Sequence, residues 1–173
     1  MSFATDHIPA RCTAQMRYRS PLGPLLLVRT KNGLAGAWFE EPKHHPAPID
    51  APVDDDDLLL QRAKAQLAAY FDGAATRFDL PLDLIGTPFQ TAVWRELLRI
   101  ERGRTCSYGD IAKKLGNPTA GRAVGAAVGR NPVSVIVPCH RVLGSGGSEG
   151  GYSGGKGLPT KRKLLALEGV VLL

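Results

Sequence analysis

The run Val135-Ile136-Val137-Pro138-Cys139-His140-Arg141-Val142 constrains this chain more than any other stretch. Consecutive β-branched residues demand burial and predict a core strand over 133–137. Pro138 ends that strand, which leaves a thiol, an imidazole and a guanidinium where the chain emerges from the core. A thiol beside a base and a fixed cation is the setting in which a cysteine pKa falls and a thiolate nucleophile forms. A buried structural cysteine followed by surface charges would read the same way, and these residues alone do not separate the two.

The first half reads as a small sheet covered by a helix. Residues 14–40 predict a β-meander: 15–19 alternate, Pro21-Leu22-Gly23-Pro24 is a turn, Leu25-Leu26-Leu27-Val28 is buried, and Lys31-Asn32-Gly33 precedes a third strand. Residues 41–53, with four prolines and two histidines, read as a loop. Asp54 to Asp57 then suit a helix start, with Leu59, Ala63, Leu67 and Tyr70 at helical spacing and Gly73 closing it. Residues 77–82 are expected to add a last strand. A boundary near 84–87 gives domains over 1–86 and 87–173.

In the second half Thr87-Pro88 predicts a capped helix with Phe89, Val93, Leu97 and Ile100 on one face. Ser107-Tyr108-Gly109-Asp110 is close to a capping box and starts a short helix that Gly116-Asn117-Pro118 stops. Thr119 is expected to cap a second helix through Val128, so that the pair reads as a helix-turn-helix. That second helix carries one large polar residue, Arg122, among glycines and alanines. Such a surface suits close helix packing or insertion into a nucleic-acid groove. After the glycine-rich loop 144–157, a final helix is expected over 160–167.

Charge separates the halves. Residues 1–86 carry 9 Lys+Arg against 11 Asp+Glu, a net of −2, whereas 87–173 carry 13 against 5, a net of +8. A basic half suggests a polyanion partner, nucleic acid first, with a solvated surface as the plain alternative. No stretch is long and apolar enough for a membrane helix, and no secretory signal is visible at the N-terminus. The 3 cysteines form no CxxC pair, which favours a reducing, cytoplasmic setting.

The motifs Thr87-Pro88-Phe89-Gln90, Ser107-Tyr108-Gly109, Arg122-Ala123-Val124-Gly125, Asn131-Pro132, Pro138-Cys139-His140-Arg141-Val142, Tyr152-Ser153-Gly154-Gly155 and Glu168-Gly169 stand together in this order. In that set the chain resembles the O6-alkylguanine-DNA alkyltransferases, in their stand-alone bacterial form. The likeness is close over 87–169 and looser before. It implies an α/β N-terminal domain with a ribonuclease-H-like sheet and helix, followed by a mainly α winged helix-turn-helix domain. It also implies irreversible, one-time transfer of an alkyl group from O6-alkylguanine in duplex DNA to the protein's own cysteine. O4-alkylthymine stays open as a further substrate. The resemblance implies no cofactor and no metal; Cys12, His7, His44 and His45 do not match the zinc ligands of some relatives.

By the same resemblance Cys139 is the alkyl acceptor, His140 the base acting through a bridging water, and Glu168 the group that orients the imidazole. Asn131 is a hinge between the DNA-binding motif and the active site. Arg122 fills the space left by a flipped guanine, while Ala123, Gly125 and Ala126 keep the helix slim enough for the minor groove. Tyr108 displaces the adjoining phosphate and contacts the base. Val128, Val142, Tyr152 and Ser153 form the base pocket. The chain departs from the family pattern at Lys156-Gly157-Leu158-Pro159, a longer loop, and at Lys163, where many relatives carry an aromatic residue. A monomer working near the nucleoid is expected, with cooperative binding left open. Two other functions compete: a lesion binder without transfer, whose relatives lack the acceptor cysteine that Cys139 supplies, and a cysteine hydrolase unrelated to DNA.

Overall fold

The computed structural model describes residues 8–40, 48–74 and 77–172. The meander is present: β1 (Ala14–Ser20), β2 (Gly23–Thr30) and β3 (Gly33–Phe39) pair antiparallel in that order. Along β1 the alternation is that of a sheet with one wet face, since Ala14, Met16 and Tyr18 are buried while Arg17 and Arg19 are exposed. Every residue of β3 is buried. Leu34, Ala37 and Phe39 join the main core, whereas Ala35 and Trp38 join a second cluster with Ile8, Val28 and Ile85.

Helix α1 (Leu58–Phe71) closes the sheet with the expected Leu59, Ala63, Leu67 and Tyr70 buried, together with Leu60. Asp57 caps it by accepting the Leu60 N–H at 2.9 Å. Residues 77–82 do not form the expected strand; a single bridge joins Leu82 to Leu34. Pro81 has no N–H for a ladder, and the Asp79 N–H donates to the Gln66 side chain at 2.8 Å.

Two capping boxes set the second half. Thr87 and Gln90 exchange hydrogen bonds of 3.1 Å at the start of α2 (Pro88–Leu97). After the short strand β4 (Cys106–Ser107), Ser107 and Asp110 do the same at 3.0 Å for α3 (Tyr108–Lys114). On α2 the inward residues are Val93, Trp94 and Leu97, while Phe89 is exposed, a correction to the expected face. The Trp94 Nε1–H donates to the Ala127 carbonyl at 2.8 Å and ties α2 to α4 (Gly121–Gly129). Thr119 does not cap α4: Ala120 holds that position, and the Thr119 hydroxyl donates to Asn117 Oδ1 instead. Strand β5 (Val142–Leu143) pairs parallel with β4, and α5 (Leu158–Leu167) starts two residues earlier than expected.

The run Val135 to Val142 departs furthest from its expected form. Residues 133–137 are buried but are not a strand. Val133 makes one bridge to Ala37, fixed by Ala37 N–H to the Pro132 carbonyl at 2.8 Å and Ser134 N–H to the Ala37 carbonyl at 2.9 Å. The chain then coils, with Val135 at φ 71, and Cys139–Arg141 is a 3-10 turn. Asn131 stands in for the missing ladder. Its Oδ1 accepts the Val133 N–H at 3.0 Å, and its Nδ2 donates to the Val137 carbonyl at 2.8 Å. Buried peptide groups must be paired, and one side-chain amide here pairs those that a neighbouring strand would otherwise hold.

Replacing Asn131 with Ala strands the Val133 N–H and takes one of two donors from the Val137 carbonyl, which keeps the Cys139 N–H at 2.8 Å. We expect a loss of about 3 kcal/mol in urea unfolding, at the upper end for buried unsatisfied groups, whereas Asn131→Asp, unable to donate to Val137, should fare no better.

Candidate active site

Cys139 begins the 3-10 turn and is 7% exposed. It lines a pocket of about 130 Å³. Tyr108 from the start of α3, Gly125, Val128 and Gly129 from α4, and Asn131 form one side. The loop residues 151–154 and Ser134 form the rest, with Trp38 reaching in from β3. Gly36 makes room for that indole, because a Cβ at this position would stand 2.0 Å from the Trp38 ring.

Behind the thiol lies a closed polar network. His140 is fully buried, and its Nε2 lies 2.7 Å from Glu168 Oε2. The Arg141 Nε–H donates to Glu168 Oε1 at 2.7 Å and its NH2 group to Oε2 at 3.1 Å. The remaining Arg141 amino group donates to the Ile100 carbonyl at 2.5 Å. The Tyr70 hydroxyl, from α1, donates to Oε2 at 2.5 Å. Burial alone would push the Glu168 carboxyl up, but the hydrogen bonds from His140, Arg141 and Tyr70 outweigh it and hold the group well below the usual carboxylate range. An ionised carboxylate only accepts, so Nε2 carries the imidazole proton and Nδ1 carries the lone pair. Nδ1 is buried with no protein partner.

Burial dominates the titration of Cys139 and His140. It lowers the His140 pKa against the pull of Glu168. It raises that of Cys139 against the stabilising effects of the Asn131 amide and the Lys161 charge. The resting pair is therefore a neutral thiol beside a neutral imidazole. A lowered thiol pKa from the adjacent cation is one of the two readings that the sequence leaves open. Arg141 does not supply that effect, because its charge is taken up by Glu168.

Lys161, on α5, is the buried cation that the sequence argument missed. Its ammonium donates to the carbonyls of Val142 and Glu149 at 2.6 Å and of Gly151 at 3.2 Å. Three donors meet three acceptors, and the pocket loop is pinned to α5. Tyr70, Trp38 and Ser134 were missed as well. A lysine or tyrosine at helical spacing reads as a solvated or core residue, and no local pattern shows which distant group it meets.

The other sequence-derived residues fall in two groups. Tyr108, Val128, Asn131, Tyr152 and Ser153 converge on the pocket with Cys139. The Tyr152 hydroxyl is buried and faces the Cys139 sulfur, where its hydrogen bond favours negative charge on the thiol. Arg122, Ala123 and Ala126 are exposed on α4, and Gly125 packs against the Tyr108 ring. Val142 lies in β5, outside the pocket lining. In the longer loop, the Lys156 N–H donates to the Thr160 hydroxyl at 2.9 Å, and Leu158 and Pro159 are absorbed into α5. Lys163 is exposed. Cys12 bonds the Ile8 carbonyl at 3.0 Å, while His7, His44 and His45 lie outside the described residues. Among the described residues no cluster of three His, Cys, Asp or Glu could hold a metal ion, and no helix is long and apolar enough to cross a membrane.

The comparisons with known proteins agree with this geometry. Residues 16–84 match the ribonuclease-like domain of 6-O-methylguanine DNA methyltransferase, and residues 88–170 match its DNA-binding domain. A methylated-DNA–protein-cysteine methyltransferase of Methanosarcina acetivorans is 45% identical over 88% of this chain and 96% of its own length. The protein of the same description from Mycolicibacterium paratuberculosis is 55% identical over 86% of this chain and 88% of its own. The crystal structure of Mycobacterium tuberculosis OGT in complex with DNA superposes with a TM-score of 0.80 at 44% identity, over 90% of this chain and 92% of that one. The chain belongs to the 6-O-methylguanine DNA methyltransferase family, with an N-terminal ribonuclease-like domain and a C-terminal DNA-binding domain.

The network sets the acid sensitivity. Both His140 and Glu168 bind protons less readily when folded, so each contributes stability above its unfolded pKa that is lost as pH falls. The melting temperature should drop as pH falls below the model-peptide value for His140, 6.5, and again below that for Glu168, 4.5. Glu168→Gln leaves the Arg141 charge buried and unpaired, so chemical denaturation should show a loss of about 3–5 kcal/mol at neutral pH.

Proposed function

We propose that this chain repairs O6-alkylguanine in duplex DNA by moving the alkyl group to Cys139 once and irreversibly. The observation that carries this reading is the Cys139 thiol, lining a pocket with the His140–Glu168 pair directly behind it. Attack on a saturated carbon favours a soft nucleophile, and sulfur is the softest this pocket offers. As the S–C bond forms and the C–O6 bond breaks, the thiol proton passes to His140 Nδ1 through a water molecule. The imidazolium that results is stabilised by ionised Glu168, the role of the third group in a triad. The leaving guanine oxygen is met by the Ser153 amide. The Tyr108 hydroxyl accepts from the Gly151 N–H and keeps its own proton free for the base. The thioether has no bond that water or a neighbouring group here can break, so each molecule acts once.

A base inside a duplex cannot reach a buried thiol, which makes base flipping part of the reading. We infer a winged helix-turn-helix, with α3 and α4 joined by the turn 115–120 and α4 entering the minor groove. Its exposed Arg122 takes the space of the flipped guanine, and Ala123 and Ala126 flank it. The net charge of +8 over 87–173 supports a phosphate-tracking face. The capped start of α2 and the spans of the two family domains support a division into 1–86 and 87–173. Unpaired Cys12, Cys106 and Cys139 support work in the reducing cytoplasm, at the nucleoid.

Cys139→Ala should bind a duplex holding O6-methylguanine with unchanged affinity and transfer nothing; residual transfer would refute the assignment. Arg122→Ala should slow repair in duplex DNA far more than reaction with the free alkylated base. Equal losses on both substrates would remove its role in flipping.

A further inference from the structure

The geometry points to Tyr70 as a positioning residue for the His140–Glu168 pair, through which the N-terminal domain completes the active site of the C-terminal one. This rests on the transfer reaction proposed above. Glu168 Oε2 is the oxygen that His140 uses, and Tyr70 is the only described residue before 87 that hydrogen-bonds to the Glu168 carboxylate. The bond spans 98 residues of sequence. It joins the last turn of α1 to the C-terminal end of α5.

Tyr70 is itself held firmly. Its side chain is 2% exposed, and its ring packs against Phe71 at 5.3 Å and Phe78 at 5.5 Å between centroids. The Arg102 guanidinium lies over the other part of the ring, 5.2 Å from its centroid, and donates to the Leu167 carbonyl at 3.0 Å. Arg102 thus clamps the ring to the residue preceding Glu168. A hydroxyl fixed on both sides leaves Oε2 one direction in which to face His140. It also takes part of the carboxylate charge, because a hydrogen bond to an ionised acceptor spreads that charge.

Two consequences follow. The hydroxyl limits how strongly Glu168 pulls a proton onto His140, and it keeps the imidazole Nε2–H pointed at one oxygen. Other charged or titratable groups around the pair come from several elements: Arg141 on the 3-10 turn, Arg102 before β4, Lys161 on α5, and Cys139 and Tyr152 on the pocket side. Of these, Arg141 donates to Oε2, as does His140. Removing the Tyr70 hydroxyl therefore takes one of the donors from the oxygen that His140 uses.

The test is Tyr70→Phe, which keeps the ring, its aromatic contacts and the Arg102 stacking. Single-turnover methyl transfer from an O6-methylguanine duplex is followed across pH in wild type and variant, with duplex affinity and melting temperature measured alongside. We expect the rate constant at saturating protein to fall about tenfold, the scale for one hydrogen bond to a charged group. The acid limb of the profile should move to higher pH, because Glu168 then favours protonated His140 more strongly. Duplex affinity should not change. A fluorinated tyrosine at position 70, which strengthens the same bond, should move the limb the opposite way and serves if Tyr70→Phe is too unstable to assay. An unchanged profile in both variants would overturn the positioning role, as would a loss confined to melting temperature. Absence of transfer in the wild type would instead overturn the repair reading.

Discussion

A single buried carboxylate organises this molecule. Glu168 accepts from Tyr70 on α1, from His140 and from Arg141, which also holds the Ile100 carbonyl after α2. Breaking a buried ion pair is costly because the remaining charge has nowhere to go. The three segments that meet at Glu168 are thus tied to each other through one group. The same carboxylate fixes the His140 tautomer, so the interaction that locks the two domains together also orients the imidazole that follows Cys139 in the chain.

The electrostatics explain a thiol that is available without being reactive at large. Burial raises the Cys139 pKa and lowers that of His140. A permanently charged thiolate would react with any soft electrophile that entered. In the proposed reaction a neutral thiol gives its proton to an oriented imidazole, and so becomes nucleophilic, only when the alkylated base fills the pocket. Lys161 contributes from below the loop, where its ammonium pins three carbonyls and favours negative charge at the sulfur.

What could be read from the sequence was local. The meander followed from alternation and turns, the cap at Thr87 from Thr-Pro, and the Ser107–Asp110 capping box from residues three apart. The Pro-Cys-His-Arg-Val block, with the motifs around it, carried the resemblance to the family to which the chain belongs. Four features were not legible, because each depends on a side-chain partner that the local pattern does not name. Residues 133–137 carry the composition of a strand but not the partner, since Asn131 supplies the hydrogen bonds in its place. Pro81 and the Gln66 side chain leave 77–82 with one bridge. Tyr70 and Trp38 fit a core pattern and gave no sign that one would reach Glu168 and the other the pocket. The adjacent Arg141 suggested a charge for the thiol, but folding delivers it to Glu168.

The measurement that bears most directly on this picture is the intact mass of the protein after incubation with duplex DNA carrying one O6-methylguanine, followed by peptide mapping. A gain of one methylene, confined to Cys139 and saturating at one per chain, is the predicted result. Tight binding of the lesion with no gain in mass, or a gain at Cys12 or Cys106 instead, would contradict it.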